Sequence, residues 1–248
     1  MTFRNLFRKE FRSLFPLFAV FSAAVFLLHL VMLYKQNVMK DDDYVLVIGL
    51  VIPFVVVSVL SIGSGYYQLL GEWRTNTIYL LLSLPVRGWK IVVAKLAASL
   101  TLLFGALLWL GGSFAFLILR AKWPELMQSD ELRQELPAAI QLFLYSAWIY
   151  ALAAAFLLTV VQFAFLCGRL VARFQWVVEL CAFLGTIWLT LRISPPLSGL
   201  LAWLPDLYIA AGGDESAYLH AGPFLVLLLL GAGFTWLNGT IFEKVVEV

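Results

Sequence analysis

Few side chains in this sequence are of types and spacings that could do chemistry, and what is missing from them excludes most reactions. Ser64, in IGSGYY, carries a nucleophile's hydroxyl, but a serine nucleophile needs a base within hydrogen-bond reach. The only histidines are His29 and His220. His220 opens the last apolar run, whereas Ser64 lies toward the far end of the second, so their depths disagree. Neither histidine has a second His or a carboxylate at metal-ligand spacing. His29 is expected between helices or facing headgroups. Cys167 and Cys181 are the only cysteines, too few for a disulfide framework or a metal cluster, and read as free thiols. No G-x-x-x-x-G-K-[ST] run is present, so the chain has no phosphate cradle of its own. No catalytic, cofactor-binding or metal-binding residue is assigned, and the chain is not expected to be an enzyme.

What remains is a set of polar residues inside apolar runs. Ser58, Ser61, Gly65 and Gln68 fall at helical spacing on one face of the second run. Glu179, Phe183, Thr186 and Thr190 do the same on the fifth, where Glu179 is the one carboxylate placed inside a run. An ionisable residue within a membrane usually faces a bundle interior, meets a partner or lines a pathway. Arg169 and Arg173 are near enough in sequence for an ion pair with Glu179. Two readings stay open: the two faces line a path, or they form a packing seam with one snorkelling acid. Gly63 and Gly65 suit close helix packing.

The elements that would hold these residues follow from composition. The chain has 248 residues, 62% hydrophobic and only 13% charged, against roughly 25% charged in a soluble domain. That deficit indicates an all-α integral membrane protein. A helix needs about 20 apolar residues to cross the hydrocarbon core. Six stretches qualify as transmembrane helices, at 15–34, 44–70, 91–119, 137–166, 176–193 and 221–240. Pro137 and Pro223 are expected at helix starts, and Pro53 is expected to kink the second span. The first run is not a cleaved signal peptide, because it is about a full span and Lys35–Asp43 follows in place of a small-residue cleavage site.

Residues 1–14 form an amphipathic interfacial helix. Phe3, Leu6, Phe7, Phe11 and Leu14 share one stripe; Arg4, Arg8 and Arg12 repeat on another. Such a helix rests its apolar side on lipid and its basic side on anionic headgroups. It is an interfacial anchor that could also position a partner. Between the last two spans, residues 194–213 contain the short apolar pieces 197–204 and 207–211. They are expected as short outer re-entrant helices, or else as a hydrophobic loop on the headgroups.

With the N-terminus in the cytosol, Arg4, Arg8, Lys9, Arg12, Arg74, Arg87, Lys90, Lys95, Arg169, Arg173 and Lys244 share the cytosolic side, and most acids lie outside. The positive-inside rule therefore places both termini in the cytosol.

One polar segment fits neither span nor loop: GEWRTNTIYLLLSLPVRGWK, residues 71–90. Thr75 could cap a helix beginning at Asn76, ending before Pro85. A short amphipathic helix there is more than a connection requires and reads as a docking surface for a cytosolic partner.

At this segment the chain resembles a permease of the ABC type-2 transporter family. In that family a Glu precedes a Thr-containing segment, a leucine-rich helix, a Leu-Pro, a basic residue and a Lys opening the third span. Here those are Glu72, Thr75 and Thr77, Leu80–Leu82, Leu84–Pro85, Arg87, Lys90 and Lys95, with Asn76 where a small residue often stands. The resemblance extends to the amphipathic N-terminal helix, six spans and outer helices.

The resemblance implies that 71–90 is a coupling segment seated on a separate cytosolic ABC ATPase subunit, with Glu72, Trp73, Arg74, Thr75, Thr77, Leu81, Pro85 and Arg87 as coupling residues. It implies that the chain is the transmembrane permease subunit of an exporter and pairs with a second permease as a homodimer or heterodimer. The second and fifth spans of each permease would line the translocation path at the dimer interface, through Ser58, Ser61, Gly65, Gln68, Glu179, Phe183, Thr186 and Thr190. ATP and Mg would be bound by the partner subunit, with no cofactor on this chain. The cargo would be amphipathic or hydrophobic: a peptide, drug or lipid. Within the family the chain is similar to compact exporters of amphipathic peptide toxins. Membrane lipids are expected partners, nucleic acid is not, and the location is the bacterial plasma membrane. The alternatives are a membrane scaffold recruiting a cytosolic partner and an ion-coupled secondary transporter.

Overall fold

Where backbone groups cannot reach water, they must bond within their own segment, so long apolar runs close into helices. The computed structural model describes residues 3–34, 42–75, 77, 87–128, 130–171, 173–210 and 216–244. Its helices are α1 (Phe3–Tyr34), α2 (Asp42–Leu46), α3 (Ile52–Arg74), α4 (Gly88–Gln128), α5 (Asp130–Arg169), α6 (Gln175–Leu200) and α7 (Gly222–Lys244). A π-helical turn, Val47–Val51, joins α2 to α3. Six helical stretches among the described residues are long and apolar enough to cross a membrane. They fall on the six expected runs.

The first span contains no break. α1 runs unbroken through Pro16, and Leu6, Glu10, Leu14, Phe18, Phe21, Val25, His29 and Met32 form one buried stripe along it. The separate interfacial helix expected over 1–14 is therefore corrected: Leu6 and Leu14 face the bundle, because their stripe continues in register into the span. Arg4, Arg8 and Arg12 stay exposed on the other side, as their spacing required.

α1 packs along α4. Leu14, Phe18, Phe21 and Val25 meet Leu102, Leu103, Ala106 and Leu110, with Val57 and Ala154 completing the cluster. A second cluster joins Leu6, Leu69, Ile91, Ala94, Phe165, Leu166 and Phe242. Because Leu6 and Phe242 belong to it together, both termini lie at the same end of the bundle, here the termini end. Met32, Val45 and Leu117 form a third cluster at the far end.

Pro53 stands in the first turn of α3, just after the π turn. Proline has no N–H to give the carbonyl four residues back, here Gly49 O. His29 Nε2 lies 2.9 Å from that oxygen, and His29 Nδ1 lies 2.9 Å from Ser113 Oγ. A carbonyl only accepts, so Nε2 carries a proton. His29 thus lies between helices and replaces the bond that Pro53 removes.

Of the two prolines expected at helix starts, one differs. α5 begins at Asp130 and runs through Pro137, while Pro223 does open α7. The short outer re-entrant helices expected over 194–213 are overturned. α6 carries Pro195 and Pro196 within it to Leu200, and the following residues form an antiparallel hairpin, β1 (Asp206–Ala210) with β2 (Ser216–His220). Two short alternating pieces around a Gly-Gly-Asp run suit a hairpin better than a helix. His220 Nδ1 lies 2.8 Å from Asp206 Oδ1, at the open end of that hairpin.

Candidate functional site

The root of the 71–90 segment is the most polar buried region described. α3 ends there, and its last turns carry Ser61, Ser64, Gln68 and Glu72 on one face, all buried. That face meets α4, which presents Lys95 and Ser99 one turn apart, both fully buried. Ser64 Oγ donates to Ser61 O (2.6 Å) and lies 3.1 Å from Ser99 Oγ, itself 3.4 Å from Gln68 Oε1. The Ser64 hydroxyl is therefore engaged in helix packing, with no base beside it among its bonded partners.

Below this ladder sits an ion network. Lys95 Nζ lies 2.8 Å from Glu72 Oε1 and 3.1 Å from Glu10 Oε1. Lys9 Nζ closes the square, 2.9 Å from Glu72 Oε1 and 3.5 Å from Glu10 Oε1. The two carboxylates and two ammonium groups sum to zero, so the buried Glu10, Glu72 and Lys95 are balanced by the partly exposed Lys9. Gln68 Nε2 and Glu72 Oε2 have no hydrogen-bond partner among the described residues. Both residues line a cavity of about 230 Å³ with Lys9, Glu10, Thr75 and Thr77.

Glu10 was missed in the sequence, where Arg4, Arg8 and Arg12 drew the reading. Its signal was present: it sits between Leu6 and Leu14 at helical spacing, on the apolar stripe. Glu179 is therefore not the only carboxylate inside the bundle.

The expected coupling residues divide into inward and outward sets. Glu72 is buried and tied to its own chain. Trp73 packs edge-on against Phe165 and Phe242, with centroids at 5.4 and 5.9 Å. Arg74, Thr75 and Arg87 are exposed, and Thr77 is half-buried. Thr75 closes α3, its N–H and hydroxyl both donating to Gly71 O, and its hydroxyl lies 3.0 Å from that of Thr77, which is helical. Leu81 and Pro85 lie outside the described residues, as does most of the helix expected from Asn76.

The far root of the segment is tied as well. Gly88 N–H, at the start of α4, donates to Glu243 Oε1 of α7. A Cβ on Gly239 would come within 2.7 Å of Trp89 Cα, so the two backbones touch there. Only glycine fits such an approach.

The two expected path faces are not brought together within the chain. Ser61, Gly65 and Gln68 point into the chain's own core, and a Cβ on Gly65 would meet Leu158 of α5 at 2.9 Å. Ser58 is half-buried and lies 2.7 Å from Tyr150 Oη. On α6, Thr186 and Thr190 are buried and bond back to Ala182 O and Thr186 O, while Phe183 is half-buried. Glu179 lies across Gly168 and accepts from Tyr66 Oη at 3.0 Å. The arginine beside it turns elsewhere: Arg169 Nη1 donates to Gln175 Oε1 at 2.7 Å. Glu179 thus pins α3 to the α5–α6 corner.

The fold and the site define a class: a six-helix bundle compatible with a multi-pass membrane protein, with a buried ion network at the end that holds both termini. No family model matches the chain, no curated protein matches it and no solved structure matches it.

Proposed function

We propose that this chain is the membrane-spanning permease subunit of an ATP-binding cassette exporter, driven by a separate ATPase that docks on residues 71–90. The observation that carries the reading is the bracing of that segment at both roots. Glu72 joins it to α1 and α4 through Lys9 and Lys95, and Gly88 joins it to α7 through Glu243. A loop that only connects two spans needs no such anchoring. A segment that is pushed must pass the push to the helices, and these links would deliver it to α1, α3, α4 and α7 together.

Arg74 and Thr75 are exposed at the root and are available to the ATPase, with Glu72 as brace. ATP and Mg would sit on that partner. Basic residues crowd the termini end, which the positive-inside rule assigns to the cytosol, here of a bacterial plasma membrane. A second permease, identical or related, would pack near α6, whose apolar window is only 11% buried. The cargo would be amphipathic or hydrophobic: a peptide, drug or lipid.

The test is ATP hydrolysis by the complex reconstituted in vesicles. Arg74→Ala should uncouple hydrolysis from the permease while leaving the chain folded; full wild-type stimulation in that variant would overturn the coupling role. The buried Glu10, Glu72 and Lys95 favour a second reading, an ion-coupled transporter. Their mutual neutralisation opposes it, and export driven by an ion gradient without ATP would decide for it.

A further inference from the structure

A cavity of about 280 Å³ opens where the start of α4 meets the end of α7, lined by Arg87, Trp89, Trp236, Gly239, Thr240 and Glu243. The close contact of Gly239 with the Trp89 backbone creates it: the helices touch, and the two indoles flare outward. Trp89 is 42% and Trp236 66% exposed. Paired tryptophans at one end of a membrane bundle mark the headgroup level. We propose that this cavity binds the headgroup of a zwitterionic phospholipid bearing a primary ammonium, an ethanolamine phosphate, from the leaflet at the termini end.

The charges select that chemistry. The exposed Arg87 guanidinium has no partner among the described residues, and its planar fork suits a phosphate. Glu243 uses Oε1 on Gly88 N–H and offers its second oxygen to an ammonium N–H. Among the lining residues one cation and one anion, Arg87 and Glu243, match a dipolar headgroup. A headgroup with phosphate but no amine would leave the second Glu243 oxygen without a donor. A trimethylated ammonium has no N–H to donate, and the Trp89 ring that could hold it already has the Lys90 ammonium 5.7 Å from its centroid. Above Trp236, Gly233, Leu229 and Leu225 continue one helical face. Leu225 and Leu229 are exposed and nothing faces Gly233, which leaves a track for an acyl chain.

The inference rests on the six spans; because Arg87 also belongs to the expected coupling set, it is read by lipid retention and not by ATP hydrolysis. The test is native mass spectrometry of the purified, delipidated full chain. Phosphatidylethanolamine, phosphatidylcholine and phosphatidylglycerol are added in turn, with free phosphoethanolamine as a fourth arm. Phosphatidylethanolamine should be retained at least about five-fold more than the other two lipids, a difference of about 1 kcal/mol. Glu243→Gln should abolish that preference, and Arg87→Gln should lower retention of all three lipids. Arg120→Gln, exposed at the far end of the same span, should keep both. Equal retention of the three lipids, no retention, or equal loss in Glu243→Gln, Arg87→Gln and Arg120→Gln would overturn the proposal. Free phosphoethanolamine binding as tightly as the lipid would also overturn it, because the ligand would then be soluble.

Discussion

Lys95 and Glu72 meet at 2.8 Å in the interior of the bundle, with Lys95 fully buried. That pair joins the base of the third span to the last turn of the second, at the root of the segment between them. Glu72 is therefore a brace within its own chain.

Removing one member of a buried ion group strands the rest. Lys95→Met leaves Glu10 and Glu72 sharing Lys9 alone, and it should cost about 3–5 kcal/mol. Adding Glu72→Gln restores the balance of one Lys and one Glu, so the double variant should cost less than the sum of the single ones. Thermal unfolding in detergent reads both; strict additivity would mean that the two side chains are not coupled.

Arg74 and Glu72 should separate in function. Arg74 is exposed, so Arg74→Ala should leave the melting temperature within the small range typical of surface substitutions, about 0.5 kcal/mol, while lowering coupled ATP hydrolysis. Glu72→Gln should lower the melting temperature as well. Equal loss of stability in both would place Arg74 inside the network.

His29 and Pro53 should show compensation. His29→Leu leaves Gly49 O without its donor and should cost about 1–2 kcal/mol. In a Pro53→Ala background the main-chain N–H returns, so the same change should cost markedly less. An unchanged penalty would sever the link between the two residues.

Glycine substitutions should rank by what a new methyl meets. Gly239→Ala meets the Trp89 backbone at 2.7 Å, whereas Gly65→Ala meets the end of the Leu158 side chain at 2.9 Å. Backbone cannot turn aside and a leucine methyl can, so Gly239→Ala should lower the melting temperature more. The reverse order would contradict the helix crossing described here.

Much of the architecture was legible from hydropathy, because a membrane span leaves a run of fixed length. The hairpin at 206–220 was not. Its pieces are too short for length to separate strand from helix, and a Gly-Gly pair suits a helix stop as well as a hairpin turn. The continuous α1 was hidden for a related reason: Arg4, Arg8 and Arg12 mark a polar face but do not say where the opposite face packs. At the site, the resemblance singled out Glu72 by its place before the Thr-containing run. Its partners could not, since Glu10 and Lys95 lie 62 and 23 positions away in sequence and meet it only through the packing of α1 on α4. Helical spacing shows that Ser61 and Gln68 share a face, not which helix covers it, so their burial against α4 and α5 within the chain was not legible.

The central claim is that residues 71–90 deliver work from a nucleotide-hydrolysing partner. Its most direct measurement is purification of the intact chain from its native membranes in mild detergent, followed by identification and counting of what accompanies it. The account predicts a P-loop ATPase in equal copy number, reduced by Arg74→Glu under conditions where the chain itself remains folded. A chain that purifies folded and active in transport with no nucleotide-hydrolysing subunit attached would contradict it.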